Sequence, residues 1–458
     1  MMDNKITSIR DNSVQKGGAT NPAGFDSSVA SVKMSRLTET AYIERFRDVT
    51  DFNVIDQAPV KINAGEEATF KINNIGFLKS TKAEVNGSFT LTASGSATVN
   101  VASDFPFNVI NRVVSQFNGG TTTHSATPYN LVALDLKRNK GKKYENFERV
   151  ATNITTTSSV ALTAINGYLN RALPADLVRV SITGTGSPTF TVQSGKYNNI
   201  TGITAISMAN GDSLTFNFSF TIPVNYTYSD ELLYGLIPLQ NNSVFLETKL
   251  IGNTVLSTNY ASCLYASALT NLAVSGYNVN VIPHNEFFSV PSVTDGGVEL
   301  YSELIRYNYI ITDQNVTVNS SAPDDALSYI IPNNAYLSSI LLTVRQASNK
   351  QLQEVKGILE KVFIDYNGTA VVRKNTLNYD LMKFATEYDG GLPFGFGQFL
   401  KDFANIGGKE NSGVWADFLD LYSANSPTLK SGVTLPSSIP VDVLITREMI
   451  VPTSVNVI

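Results

Sequence analysis

Residues 108–141 read NVINRVVSQFNGGTTTHSATPYNLVALDLKRNKG, and the reading of this stretch decides the fold. Val109, Ile110, Val113 and Val114 open it as a β-branched, strand-forming run. Phe117-Asn118-Gly119-Gly120 then reverses the chain, because Asn and Gly tolerate the positive φ of a hairpin turn. After a Thr/Ser run, Pro128-Tyr129-Asn130 starts an apolar stretch of Leu131, Val132, Leu134 and Leu136. That stretch ends on Lys137, Arg138, Lys140 and Gly141, as a short helix ends.

The same order of features returns at residues 357–390, GILEKVFIDYNGTAVVRKNTLNYDLMKFATEYDG. Ile358, Leu359, Val362 and Phe363 lead into Tyr366-Asn367-Gly368. Asn378-Tyr379 then opens a second apolar stretch, Leu381, Met382 and Phe384. The two turns begin at residues 117 and 366, 249 positions apart. A chance match of two common NG turns is the alternative. The ordered match of strand, turn, polar run, Tyr/Asn and helix favours one structural unit used twice.

Working outward, the 458 residues are 43% apolar and 16% charged, with a net charge of −5 and a pI of about 5.3. Such a chain buries a large core and draws its polar surface from Ser, Thr and Asn. It carries no basic bias of the kind that binds nucleic acid. A single cysteine, Cys263, excludes an intrachain disulfide; its small, apolar neighbours predict a buried inert thiol in a chain made in a reducing compartment. The N-terminus lacks the pattern of a signal peptide, and no apolar run reaches membrane-spanning length.

In chain order, residues 1–45 are polar and read as an arm ordered by a neighbour or left extended, with a short helix possible over Arg36–Phe46. From residue 46 to about 260 the pattern has period two, with strands at Ala68–Ile72, Val85–Ala93 and Val99–Phe105. Residues 150–210 read as an elaborate loop carrying small strands of its own. Ser213–Val224 is the cleanest strand, with Leu214, Phe216, Phe218, Phe220 and Ile222 on one face. Ser243–Ile251 is another. Residues 261–458 are expected to hold a linker and then a second β unit. Its strands are Leu300–Thr312, Leu337–Val344 and Ile439–Val451, with a turn at Asp324–Tyr329. Val414–Tyr422 carries the only tryptophan, Trp415.

The chemistry of a catalytic centre is sparse. Two histidines, His124 and His284, and one cysteine supply no metal-ligand spacing and no nucleophile triad. The Gly-rich run at 390–397 lacks the lysine and the preceding strand of a phosphate loop. Carboxylate pairs such as Asp324-Asp325 and Asp417/Asp420 could serve glycoside chemistry, and they read as solvated acids. The sequons at Asn153, Asn225, Asn315 and Asn367 are what an Asn/Ser/Thr-rich chain produces by chance. Tyr226 and Tyr228 suit subunit contacts or ordinary loops. Catalytic, cofactor-binding and metal-ligating residues are therefore expected to be none.

Two tandem β-sandwiches, each with an NG turn followed by a short helix, resemble the double jelly-roll major capsid proteins of tectivirus-like viruses, which are tailless, icosahedral and have an internal membrane. The stretches 117–136 and 366–384 carry the resemblance, with Ser213–Val224, Ile439–Val451 and the polar arm. It implies an all-β fold of two jelly rolls with short helices and decorated loops. It also implies a homotrimeric, pseudo-hexagonal capsomer that builds an icosahedral virion shell, made in the host cytoplasm and without enzymatic activity or cofactors. Implied partners are the chain itself, minor capsid, penton and membrane proteins, and an internal membrane met by the arm; direct nucleic-acid binding is not implied. The alternative is a β-rich receptor-binding protein or adhesin of a phage or cell surface. A polysaccharide-degrading enzyme on a β scaffold is a third reading.

Overall fold

The computed structural model describes residues 46–73, 75–94, 97–102, 104–118, 120–138, 159–160, 178–183, 189–192, 203–208, 210–224, 235–239, 245–257, 262–266, 271–292, 307–366, 370–377, 397–403, 418–422 and 424–452. The strands begin with β1 (Phe52–Asp56), β2 (Val60–Ile62), β3 (Glu67–Lys71), β4 (Phe77–Ala93), β5 (Ala97–Ala102), β6 (Ile110–Phe117) and β7 (Thr121–Ala126). Helix α1 (Pro128–Arg138) follows, then β8 (Ser159–Val160), β9 (Val178–Thr183), β10 (Thr189–Val192), β11 (Ile203–Met208) and β12 (Ser213–Pro223). Next come β13 (Ile237–Pro238), β14 (Leu246–Gly252), β15 (Thr254–Leu256), β16 (Ser262–Ala266) and β17 (Leu272–Phe288). The second half holds β18 (Tyr307–Val318), β19 (Ala322–Ile330), β20 (Tyr336–Gln346), β21 (Leu359–Tyr366) and β22 (Ala370–Thr376). It closes with β23 (Gln398–Asp402), β24 (Leu419–Asp420), β25 (Thr428–Val433) and β26 (Val441–Pro452).

The pairing order identifies the architecture. Let β1, β3, β4, β6, β7, β12, β14 and β17 be strands one to eight of the first half. They pair as β1-β17-β4-β12 and β3-β14-β6-β7, which is 1-8-3-6 and 2-7-4-5. In the second half, β18, β19, β20, β21, β22, β23, β25 and β26 pair as β18-β26-β20-β23 and β19-β25-β21-β22, the same two orders. Eight strands in two such sheets form a jelly roll, and the chain contains it twice.

Both NG turns connect strands four and five of their roll. Phe117 pairs with Thr121, and Tyr366 with Ala370, so each hairpin encloses three residues. In the first, Asn118 takes φ +47° and the Gly120 amide donates to the Phe117 carbonyl at 2.9 Å. Helix α1 stands where the first stretch predicts it. The second helix is expected from Asn378-Tyr379 to Asp389-Gly390, which lie outside the described residues, as do Trp415 and residues 1–45.

Strand β12 alternates as its sequence requires. Leu214, Phe216, Phe218, Phe220 and Ile222 are all buried, and full burial of such a side chain is worth roughly 1.5–3 kcal/mol. Phe216 meets Phe89 at 5.1 Å and Phe105 at 5.3 Å, and Phe218 meets Phe107 at 5.1 Å.

Three expectations are corrected. Residues 262–288 do not belong to a linker with the second roll. Strand β17 pairs along its whole length with β4, and β16 pairs with β5, so both lie in the sheets of the first half. The polar Asn278, Asn280 and Pro283 break up its apolar pattern, and long antiparallel pairing overrides that local signal. Residues 150–210 are more than a self-contained loop. Strand β9 extends the first roll through β12, while β10 and β11 join a separate sheet, β10-β11-β5-β16-β15. That five-stranded sheet is assembled from three connections, those between strands three and four, five and six, and seven and eight. Lastly, Asp324–Tyr329 lies within strand β19, not a turn. β19 ends its sheet, where a proline such as Pro323 is tolerated.

Gly87 faces Phe216 across β4 and β12, and a Cβ there would sit 2.2 Å from the ring. Phe89 and Phe105 hold that ring in place. Gly87→Ala should therefore lower unfolding free energy by about 1–3 kcal/mol, the range for overpacked cores. Urea denaturation of the two proteins measures the difference, and an unchanged midpoint would contradict it.

Candidate assembly interface

The two rolls share one sheet. Strand five of the first roll, β7, runs parallel to strand one of the second, β18, with His124 beside Ile311 and Ser125 beside Thr312. This contact fuses the 2-7-4-5 sheet of the first roll with the 1-8-3-6 sheet of the second.

Strands β20, β23 and β26 of that second-roll sheet are consequently largely buried on both faces, which explains why β20 and β23 read as continuous apolar or buried runs. Ile340, Leu342, Val344, Phe399, Val443 and Ile445 face the core of the second roll. Tyr309, Ile311, Leu341, Leu400 and Ile450 face the other way and pack into the core of the first.

Helix α1 supplies the polar part of this seam. Fully buried Asn130 donates through Nδ2 to Thr446 Oγ1 at 2.7 Å. Its Oδ1 accepts from Thr343 Oγ1 and Gln398 Nε2, both at 2.8 Å. One amide thus ties strands three, six and eight of the second roll to the first roll. Thr446 passes the chain on, donating to Asp313 Oδ1 at 2.7 Å. Asp313 is partly exposed as a residue, but its carboxyl lies among buried neighbours, and this desolvation pushes its pKa up to about 6.

Two turns along α1, fully buried Lys137 reaches Glu448 Oε2 at 2.6 Å and Asp402 Oδ1 at 3.5 Å. Glu448 also accepts from Tyr309, Ser338 and Ser339, at 2.6, 3.2 and 2.7 Å. At the rim, Arg345 Nη2 bonds Asp104 Oδ2 at 2.9 Å, again across the two rolls.

The first roll carries the same socket, uncovered. Glu448 lies opposite Ser339 and Ile311, and Glu286 lies opposite Ser80 and Val54. Ser80 donates to Glu286 as Ser339 does to Glu448. The register makes Tyr309 and Ile311 the equivalents of Phe52 and Val54. Tyr309 and Ile311 are 2% and 0% exposed beneath the first roll, whereas Phe52 and Val54 are 48% and 53% exposed. Ile75 and Val290, also exposed, stand near in the chain to the buried Phe77 and Phe288 beside Phe52. Strand β1 ends its sheet, and so does β22, the fifth strand of the second roll.

The residues singled out for chemistry are scattered over the structure. His124 is buried against Tyr309 and contacts Thr123, as part of the seam. His284 bridges Asp56 at 2.7 Å and Glu84 at 3.5 Å on the outer sheet face. Cys263 is buried against the Asn108 carbonyl, and burial raises its thiol pKa well above the ordinary value. Asp324 and Asp325 are adjacent on strand β19, where Asp324 pairs with Lys361 at 3.5 Å. Asp417, Tyr226, Tyr228 and the sequons at 153, 225 and 367 lie outside the described residues; Asn315 is exposed on β18. Among the described residues no group of three His, Cys, Asp or Glu side chains could hold a metal ion. Lys137 and Asn130 carry the seam. In the sequence they pass as a helix-ending lysine and a helix-starting asparagine, because nothing local shows what covers α1.

Removing the Asn130 amide with Asn130→Leu orphans several buried partners, each costing about 1–3 kcal/mol. Chemical denaturation should show a loss of at least that size. Asp313 should tilt stability with pH. Its folded pKa is raised, so the folded state keeps a proton that the unfolded state has released. That contribution is full below the unfolded value near 4 and is lost as pH rises through about 6. Asp313→Asn should flatten stability over that window, and an unchanged slope in pH-dependent melting would refute the assignment.

No protein-family model matches the chain, and no curated protein matches its sequence. Solved structures do match. The crystal structure of the major capsid protein of Sulfolobus turreted icosahedral virus aligns at a TM-score of 0.53 and 13% identity, over 88% of this chain and 97% of that one. The atomic structure of the same virus contains a chain that aligns at 0.54 and 13% identity, over 88% and 91%. At this identity the likeness is one of fold: the chain is a double jelly roll of the same architecture.

Proposed function

We propose that this chain is a major capsid protein, which forms homotrimeric, pseudo-hexagonal capsomers and through them an icosahedral virion shell. The single observation that carries the reading is the uncovered socket on the first roll. Phe52 and Val54 occupy positions that the second roll buries under β7 and α1. An open strand edge flanked by exposed apolar side chains is a contact site that soluble chains otherwise avoid.

The occupant that fits is a second copy. Its second roll presents β22, the equivalent of β7, to the β1 edge of the first. The contact is head-to-tail, so it closes into a ring when the rotation between rolls divides a full turn. Three chains place six rolls around one axis, and the contacts between chains then repeat the contact within each chain. The capsid proteins of similar fold support the shell as the destination. On this reading the protein belongs to the virion, and its role is assembly with no catalytic step. Residues 1–45 would reach neighbouring capsomers, minor capsid and penton proteins, or an internal membrane. The division of the chain is then arm (1–45), first roll (to about 292) and second roll (from about 307).

Negative-stain class averages of the purified protein should show three-fold particles with a six-sided outline; monomers or fibres would overturn the proposal. Phe52→Asp combined with Val54→Asp should convert trimers to folded monomers in sedimentation velocity. Trimers that persist unchanged would remove this edge from the interface.

A further inference from the structure

We propose that Lys137 and Asp402 form an intramolecular isopeptide bond, promoted by Glu448, which locks the first roll covalently to the second. The inference goes beyond the assembly reading and does not depend on it. The three groups are of the types that such a condensation needs, and they meet in one buried place. Lys137 and Glu448 are fully buried and Asp402 nearly so, with Nζ 2.6 Å from Glu448 Oε2 and 3.5 Å from Asp402 Oδ1.

The two carboxylates are not equivalent. Glu448 is held by the hydroxyls of Tyr309, Ser338 and Ser339 as well as by Lys137. That set fixes it in position as a proton acceptor. Asp402, at the end of β23, holds its carboxylate beside the amine, with Oδ1 3.5 Å from Nζ, and attack then needs Nζ to close on Cγ to about 3–3.5 Å. Glu448 takes one proton from the Lys137 ammonium and frees its lone pair. Nζ attacks Cγ of Asp402, a C–N bond forms, and one C–O bond breaks. Two of the three ammonium protons leave with that oxygen as water, relayed through Glu448, and the third stays as the amide N–H. Ammonium and carboxylate become amide and water, so charge and atoms balance and no oxidant or co-reactant is needed.

Burial favours the product in two ways. A dry seam disfavours the reverse hydrolysis. The amide also replaces a cation and an anion whose desolvation an ion pair repays only in part. Glu448 keeps its three hydroxyl donors and can accept from the new N–H.

The test is mass spectrometry of the full-length, folded protein after denaturation. The proposal expects a mass lower than that of the sequence by one water. Trypsin should then yield a branched product joining residues 113–138 to residues 402–409, uncleaved after Lys137. Glu448→Gln and Lys137→Arg should both return the mass to that of the sequence. Lys137→Arg preserves a cation in the seam, so it remains informative if Glu448→Gln fails to fold. An unmodified mass for the folded wild-type protein would overturn the proposal. So would a water loss mapped to a peptide in which trypsin still cuts after Lys137.

Discussion

The parallel pairing of β7 with β18 is the constraint on which the rest of the molecule depends. A jelly roll normally presents the outer faces of its sheets to water, and its strands then alternate. Fusing a sheet of one roll to a sheet of the other puts the second roll's 1-8-3-6 sheet between two cores. Strands β20, β23 and β26 must then satisfy both faces, while part of β18 stays exposed. The apolar and small polar residues of β20, and the wholly buried β23, are the consequence. Burying polar groups in such a seam is costly unless they are paired, and many of its polar side chains gather in two hydrogen-bonded sets around Asn130 and Glu448.

The legible and illegible parts of the fold divide on range. The Asn118 turn, helix α1 and the alternation of β12 were readable because each is specified by neighbours within a dozen residues. The duplication was readable for the same reason, since each hairpin carries its own local signal. Strand β17 was readable only as a strand-like piece at Tyr277–Ile282; its full length and its place in the first roll depend on pairing with β4, nearly two hundred residues away. The socket was also invisible. Ser80 and Glu286, or Ser339 and Glu448, are brought together by register, and no spacing in the sequence encodes a register. Lys137 illustrates the difficulty most sharply. A lysine in the last turn of a helix complements the helix dipole and normally reaches water. Here it points into a second domain that begins about 170 residues later.

The five-stranded sheet shows a related limit. Its strands come from three separate connections of the first roll; β5 was readable at Val99–Phe105, but its pairing with β11 and β16 was not, because no local pattern encodes it. The strands are held together by pairing with one another across the three connections. The longest sequence stretch read as loop thus contributes to two sheets, one through β9 and the other through β10 and β11.

Duplication makes the two rolls alike in topology but unlike in what covers them, and that asymmetry gives the chain a direction. The second roll's socket is filled from within the chain, so its residues are free to become wholly apolar or tightly hydrogen-bonded, as Tyr309 and Ile311 are. On the proposed assembly, the first roll's socket has to remain compatible with water until a second copy fills it. Its buried carboxylate, Glu286, accordingly draws on Lys79 and Lys82 from the adjacent strand, where Glu448 draws on a lysine from the other roll. The substitution of local, partly exposed lysines for one buried, distant lysine is what a socket needs if it must exist both empty and filled. A contact made permanent within the chain and reversible between chains would let the same geometry serve first in folding and then in assembly.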